Sequence, residues 1–91
     1  MMKYFAALLR MNDIAKNRDF RQQHVDFLQE KEKEGKIFAR GRFAGDAGGL
    51  VIYIASSLEA ASSIAGSDPY VRSGARTLEI YEWDMKLAPN I

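Results

Sequence analysis

Tyr4 to Leu9 is an unbroken apolar run, the length of a strand buried on both faces or of part of a helix. Tyr-Phe at its start and the Asn12-Asp13 breaker after it favour the strand. From Arg18 to Lys33 the pattern turns helical. Phe20, His24, Phe27, Leu28 and Lys31 share one face, and Arg21, Gln22, Gln29, Glu30, Glu32 and Lys33 face solvent. Asn17 fits the N-cap, with Asp19 in the first turn, and Gly35 fits the position just past the helix end. The run Glu30-Lys31-Glu32-Lys33-Glu34 reads as a solvated helix end. Ile37 to Phe43 and Leu50 to Ala55 follow as strands. Gly45-Asp46-Ala47-Gly48-Gly49 between them supplies residues that tolerate positive φ in a hairpin. Ser57 caps a second helix whose stripe is Leu58, Ala61, Ile64 and Ala65, ending at Gly66. Ser67-Asp68-Pro69-Tyr70 is a turn, because Pro69 keeps Asp68 out of helical geometry. Thr77 to Met85 alternates as a last strand, Leu78 and Ile80 opposite Tyr81, Trp83 and Met85.

The order is β-α-β-β-α-β over a single domain, residues 1–91: an α+β, ferredoxin-like arrangement of two split βαβ halves. Two helices cover only one face of a four-stranded sheet. Leu50-Val51-Ile52-Tyr53-Ile54 is nevertheless apolar on both faces, and Tyr81 and Trp83 lie opposite Leu78 and Ile80. The uncovered face calls for a cover that the chain does not supply. The simplest is the same face of an identical subunit, in a closed two-fold homodimer. The other reading is an aromatic surface that stacks RNA bases.

Charge weighs against that second reading. Thirteen Lys+Arg against twelve Asp+Glu leave a formal +1, without the basic excess of a phosphate-driven nucleic-acid binder. The 91 residues, 47 % hydrophobic and 27 % charged, have ordinary globular composition. No apolar run approaches the roughly 18–20 residues of a membrane span. The N-terminal segment has a single lysine before its short apolar run and no Ala-x-Ala-like site after it, so no signal peptide is expected and the default compartment is the cytoplasm. The absence of cysteine removes disulfides and thiolate chemistry, and a single histidine is poor material for a metal centre. Gly41-x-x-x-Gly45-x-x-Gly48-Gly49 resembles a phosphate loop only superficially, since it joins two strands and no Gly-Lys-Ser/Thr follows.

His24, the only histidine, sits on the apolar stripe of the first helix and points toward the sheet. A lone histidine there is either a hydrogen-bonded core group or an acid–base group. Asp68, before Pro69, reads alone as a turn former. Together the two suggest more, because a carboxylate that meets a buried imidazole fixes its tautomer and poises it for proton transfer.

Arg21-x-x-His24 followed by Phe27-Leu28, Gly41 in the next strand, and Asp68-Pro69-Tyr70-Val71-x-x-Gly74 before the last strand resemble the YciI-like (YCII-related) family over nearly the whole chain. The resemblance implies a dimeric α/β barrel of two facing sheets. It also implies one pocket per subunit, with His24 and Asp68 as the catalytic pair. The implied activity is cofactor-independent acid–base chemistry of isomerase, lyase or hydrolase type on a small organic acid or cyclic compound. Tyr70 would donate a hydrogen bond to the substrate, Arg21 or Arg42 would neutralise a carboxylate, and Gly41 would line the pocket; no cofactor and no metal are expected. Where the family usually has Gly-Pro in the second strand, this chain has Gly41-Arg42. Arg42 shares the alternation with Arg40 and Phe38, which suggests either an anion-preferring pocket or two solvated arginines on a sheet edge. The reading from a different class is a non-catalytic dimeric module that binds a small ligand or a protein, with His24 and Asp68 as a structural pair.

Overall fold

A computed structural model of the chain describes residues 1–89. The elements run β1 Lys3–Met11, α1 Ile14–Asp19, α2 Arg21–Lys33, β2 Ile37–Arg42, β3 Gly48–Ala55, α3 Leu58–Gly66, α4 Pro69–Arg72 and β4 Arg76–Trp83. The strands form one antiparallel sheet in the order β2-β3-β1-β4, so the two halves interleave in the ferredoxin-like way. Phe5 pairs with Tyr53 and Ala7 with Val51, and Ala7 and Leu9 pair with Ile80 and Leu78 on the other side. These residues face the helices. With Leu28, Ala61 and Ala65 they make the core, within which Phe5, Leu9 and Tyr53 are almost completely sealed.

The opposite face carries Tyr4, Ala6 and Leu8 from β1 and Leu50, Ile52 and Ile54 from β3, by the period-two alternation of a strand. Tyr81 and Trp83 are exposed on it. Arg10 is ion-paired there with Glu79, which also accepts from the Tyr81 hydroxyl at 3.0 Å.

The first helical segment begins earlier than its apolar stripe implies, and it is broken. Asp13, not Asn17, is the N-cap: its side chain accepts from the Lys16 N–H at 3.0 Å, satisfying a donor that a helix start leaves free. Asn17 lies inside α1, and its side chain serves another partner, described below. The chain leaves helical geometry at Phe20 (φ −103°, ψ 7°), which ends α1 and starts α2. Gly35 adopts φ 75° just past α2, as its position suggested. In the charged run before it, Glu32 is tied to Arg40 at 2.9 Å and Lys31 lies 5.6 Å from the Phe27 ring centre.

Three further boundaries differ. β2 ends at Arg42, and a register shift between Ile37 and Ala39 breaks its alternation. Phe38 therefore meets Tyr4 edge-on at 5.2 Å, on the open side, whereas Arg40 pairs with Val51 and Arg42 with Gly49, on the helix side. Phe38 does not share a face with the two arginines. Gly48 and Gly49 belong to β3 rather than to the hairpin loop. Gly48 has φ 117°, and a Cβ there would run into the Leu9 carbonyl. β4 starts one residue early, at Arg76, and ends at Trp83, leaving Met85 outside it. Ser57 does cap α3, accepting from Ala60 N–H at 3.1 Å. The expected turn at Asp68 is instead the start of a one-turn helix, with Asp68 as N-cap in extended geometry (ψ 129°) and Pro69 in the first position. Among the described residues, no helix is long and apolar enough to cross a membrane.

Candidate functional site

Two helices, α2 and the short α4, converge on the helix-covered face. α2 turns His24 inward from its second turn, and the cap at the start of α4 turns Asp68 toward it. The His24 Nδ1 lies 2.8 and 2.9 Å from the two oxygens of Asp68. One of those oxygens also accepts the Tyr70 N–H at 2.9 Å, so a single carboxylate holds the imidazole and starts a helix. A carboxylate only accepts, so Nδ1 carries a hydrogen, and in the neutral ring that leaves the lone pair on Nε2. Nε2 has no hydrogen-bond partner among the described residues.

The pair is layered. Asp68 is 0 % exposed, and His24, at 9 %, lines a cavity of about 290 Å³. The imidazole therefore opens onto a ligand-sized space while the carboxylate is sealed beneath it. The Tyr70 ring stacks on the imidazole, with centres 3.9 Å apart and planes 17° apart. Burial pushes its hydroxyl above the ordinary tyrosine range, so the group stays a protonated donor.

Arg21, Gly41, Arg42 and Tyr70, the remaining residues singled out by sequence, all line this cavity, and Leu9, Leu28 and Val51 give it an apolar floor. Arg40 also borders it, but is held by Glu32. Three participants were missed. Arg76 is 7 % exposed, with its guanidinium 4.3 Å from the Tyr70 ring centre. Asn17 accepts from Arg76 Nε at 2.9 Å. Gly49 has no side chain where one would press on Arg76. The available signal was parity: Arg76 continues the inward alternation of Leu78 and Ile80 by one step. Near the pair, Tyr53 is fully buried and its hydroxyl has no partner among the described residues; burial first, and then the Asp68 charge, push its titration far upward. Among the described residues, no group of three or more His, Asp or Glu side chains is placed to hold a metal ion.

Fold and cavity thus define a small ferredoxin-like α+β domain with a histidine–aspartate pair under a cationic pocket. Residues 2–84 match the model of the YCII-related domain, and the chain belongs to that family. It is 34 % identical over 83 residues to the uncharacterized protein YjpA of Bacillus subtilis, covering 91 % of this chain and 98 % of YjpA. In fold it resembles 5-chloro-2-hydroxyhydroquinone dehydrochlorinase (TftG) of Burkholderia phenoliruptrix AC1100, solved in complex with 2,5-dihydroxybenzoquinone. That likeness has a TM-score of 0.78 at 18 % identity, covering 91 % of this chain and 95 % of the other.

Proposed function

We propose that the protein is a cofactor-independent acid–base enzyme acting on a small organic acid or cyclic compound, with His24 as the proton-transfer group. The observation that carries this reading is the layered pair. Nδ1 is held by both oxygens of a sealed carboxylate, and the ring opens onto a cavity. In the reaction Nε2 takes a proton from the substrate or from water, and Asp68 holds the tautomer and stabilises the imidazolium that forms. Tyr70 donates to a substrate oxygen, and Arg21 and Arg42 balance negative charge as it develops. Isomerisation, elimination and hydrolysis share this proton transfer. The dehydrochlorinase activity named for TftG is one such elimination, although the likeness to that protein is one of fold.

The test is a thermal-shift panel of small carboxylic acids and cyclic ketones or phenols. Stabilising compounds are then followed for turnover, or for exchange of their C–H hydrogens in deuterated water. Reaction in the wild type that drops by about 10²–10⁴-fold in His24→Ala supports the reading. Compounds that bind but neither react nor exchange, or that react equally with His24→Ala, count against it.

The working form is a homodimer in which the open sheet faces cover each other. Support comes from the exposed Tyr81, Trp83 and Phe38 and from a second, largely apolar hollow of about 240 Å³ along Ala39, Phe43, Leu50 and Ile52. Sedimentation is expected to give twice the chain mass of 10.3 kDa. Trp83, the one tryptophan, lies on that face, so its emission is expected to move to longer wavelength as dilution separates the subunits. A monomer at all concentrations, with unchanging emission, rejects the dimer.

A further inference from the structure

We infer that Arg76, with Arg42 beside it, is a carboxylate clamp that selects planar organic anions and presents them to His24. Resting on the reading of this cavity as a substrate site, the inference names the class of compound that enters it. Arg76 is 7 % exposed, yet among the described residues it has no acidic partner within ion-pair distance, and neither has Arg42 or Arg21. A buried charge without a counter-charge is costly, and arginine keeps its charge because its proton is held so tightly. Burial works most strongly against that charge; Tyr70 and the more distant Asp68 carboxylate offset it in part, and the neighbouring positive charge of Arg42 adds to the burden.

The chain nevertheless holds the guanidinium in place. Asn17 accepts from Nε at 2.9 Å, and the Tyr70 ring supports the group at 4.3 Å. The glycine at 49 leaves its space open: a Cβ there would lie 3.2 Å from Arg76 Nη1 and 2.7 Å from the Gly41 carbonyl oxygen. Neither terminal nitrogen of Arg76 donates to a protein acceptor among the described residues, so the guanidinium has N–H groups left for a ligand. A guanidinium that is fixed, desolvated and unpaired matches a planar carboxylate better than a mobile ammonium would. Leu9, Leu28 and Val51 give the rest of the molecule an apolar seat. Tyr70 touches both the guanidinium and the imidazole, so one aromatic ring separates the anion site from the proton-transfer group.

The probes are benzoate and benzamide, nearly equal in shape and different in charge, with inorganic phosphate as a second anion. Binding is read from the ring signals of His24, the chain's one histidine. Benzoate is expected to bind wild type at least about tenfold more tightly than benzamide, and more tightly than phosphate. Arg76→Gln is expected to remove that preference while leaving benzamide unchanged, and Arg76→Lys to restore only part of it. Arg42→Gln, at an exposed position, is expected to weaken benzoate by a smaller factor, and it carries the test if Arg76→Gln does not fold. Equal binding of benzoate and benzamide, tighter binding of phosphate, no binding of benzoate, or a benzoate preference that survives both neutral variants would overturn the clamp. These outcomes are separable from the acid–base reading. Turnover that needs His24 without any benzoate preference removes the clamp alone, and a preference that depends on Arg76 without His24-dependent chemistry removes the acid–base role alone.

Discussion

The helices α2 and α3 cover the same face of one sheet in different ways. α3 lies on it closely: its buried residues are Ala61 and Ala65, both 0 % exposed, and it packs on β3, β4 and β1. Alanine on the contact stripe lets the helix backbone approach the sheet and leaves little room between the two layers. α2 buries only His24 and Leu28, and leans on α4 and on the edge strand β2. Arg21, His24, Val25 and Leu28 of this helix border the cavity. His24 and Arg21 of the candidate site therefore belong to the helix that stands off the sheet, and close apolar packing belongs to the helix that does not. A chain this short has room for a pocket on one side because the other side is packed with the smallest side chains available.

The caps give the strongest test of this division. Asp68→Ala removes the partner of His24 and the cap of α4 together, both from a sealed position. A charged hydrogen bond and an N-cap add to an expected loss of about 3 kcal/mol in urea denaturation. Ser57→Ala, at the exposed cap of α3, is expected to cost about 1 kcal/mol. Similar losses at the two sites would mean that Asp68 contributes no more than a turn former does. Packing gives the next contrast. Ala65→Leu drives a larger side chain between α3 and the sheet, at an expected cost of about 1–3 kcal/mol. Val25→Leu on α2 extends into the cavity and is expected to change stability by less than about 0.5 kcal/mol. Equal penalties would show that α2 is packed as closely as α3.

Chemistry was more legible in the sequence than placement. The strands β1 and β3, the cap at Ser57 and the pairing of His24 with Asp68 follow from apolar runs, a short hydroxyl side chain and one motif. Four residues did not announce their roles. Asp13 reads as a breaker because a capping aspartate and a turn aspartate are the same residue type, and only the hydrogen bond to Lys16 N–H separates them. Asn17 fits a cap equally well, but spends its oxygen on a residue 59 positions away. Phe38 sits at a bulge, which shifts parity by one and carries no signal of its own. Arg76 opens a strand, where a charge ordinarily faces water, although its parity with Leu78 and Ile80, in register against Met11, puts it on the inner face. Asn17 and Arg76 are partners across 59 positions, and periodicity carries no information about remote partners.

Tyr53 lies where the closely packed region meets the site, and it yields the smallest and most specific effect. Its ring is part of the core, but its hydroxyl is buried without a partner among the described residues, close enough to Asp68 to feel that charge. A buried donor that makes no bond costs stability, so Tyr53→Phe is expected to leave stability near neutral pH unchanged or to raise it by about 1 kcal/mol. The pH dependence identifies the cause. Burial and the Asp68 carboxylate raise the folded-state pKa of the phenol above its ordinary value near 10. Below that value the native and unfolded forms both hold the proton, and the group contributes no slope. Above it the unfolded chain releases the proton while the native one keeps it, so stability falls as pH rises, by up to about 1.4 kcal/mol per pH unit from this group. Tyr70 and other groups titrate in the same range, but the difference between wild type and Tyr53→Phe isolates the one phenol. Urea titrations at several pH values are expected to give a constant difference up to about pH 9, and a growing advantage for Tyr53→Phe beyond it. A difference that stays constant through the alkaline range would mean that the phenolate finds water or a hydrogen-bond donor when it forms, and that the seal over Asp68 is open on that side.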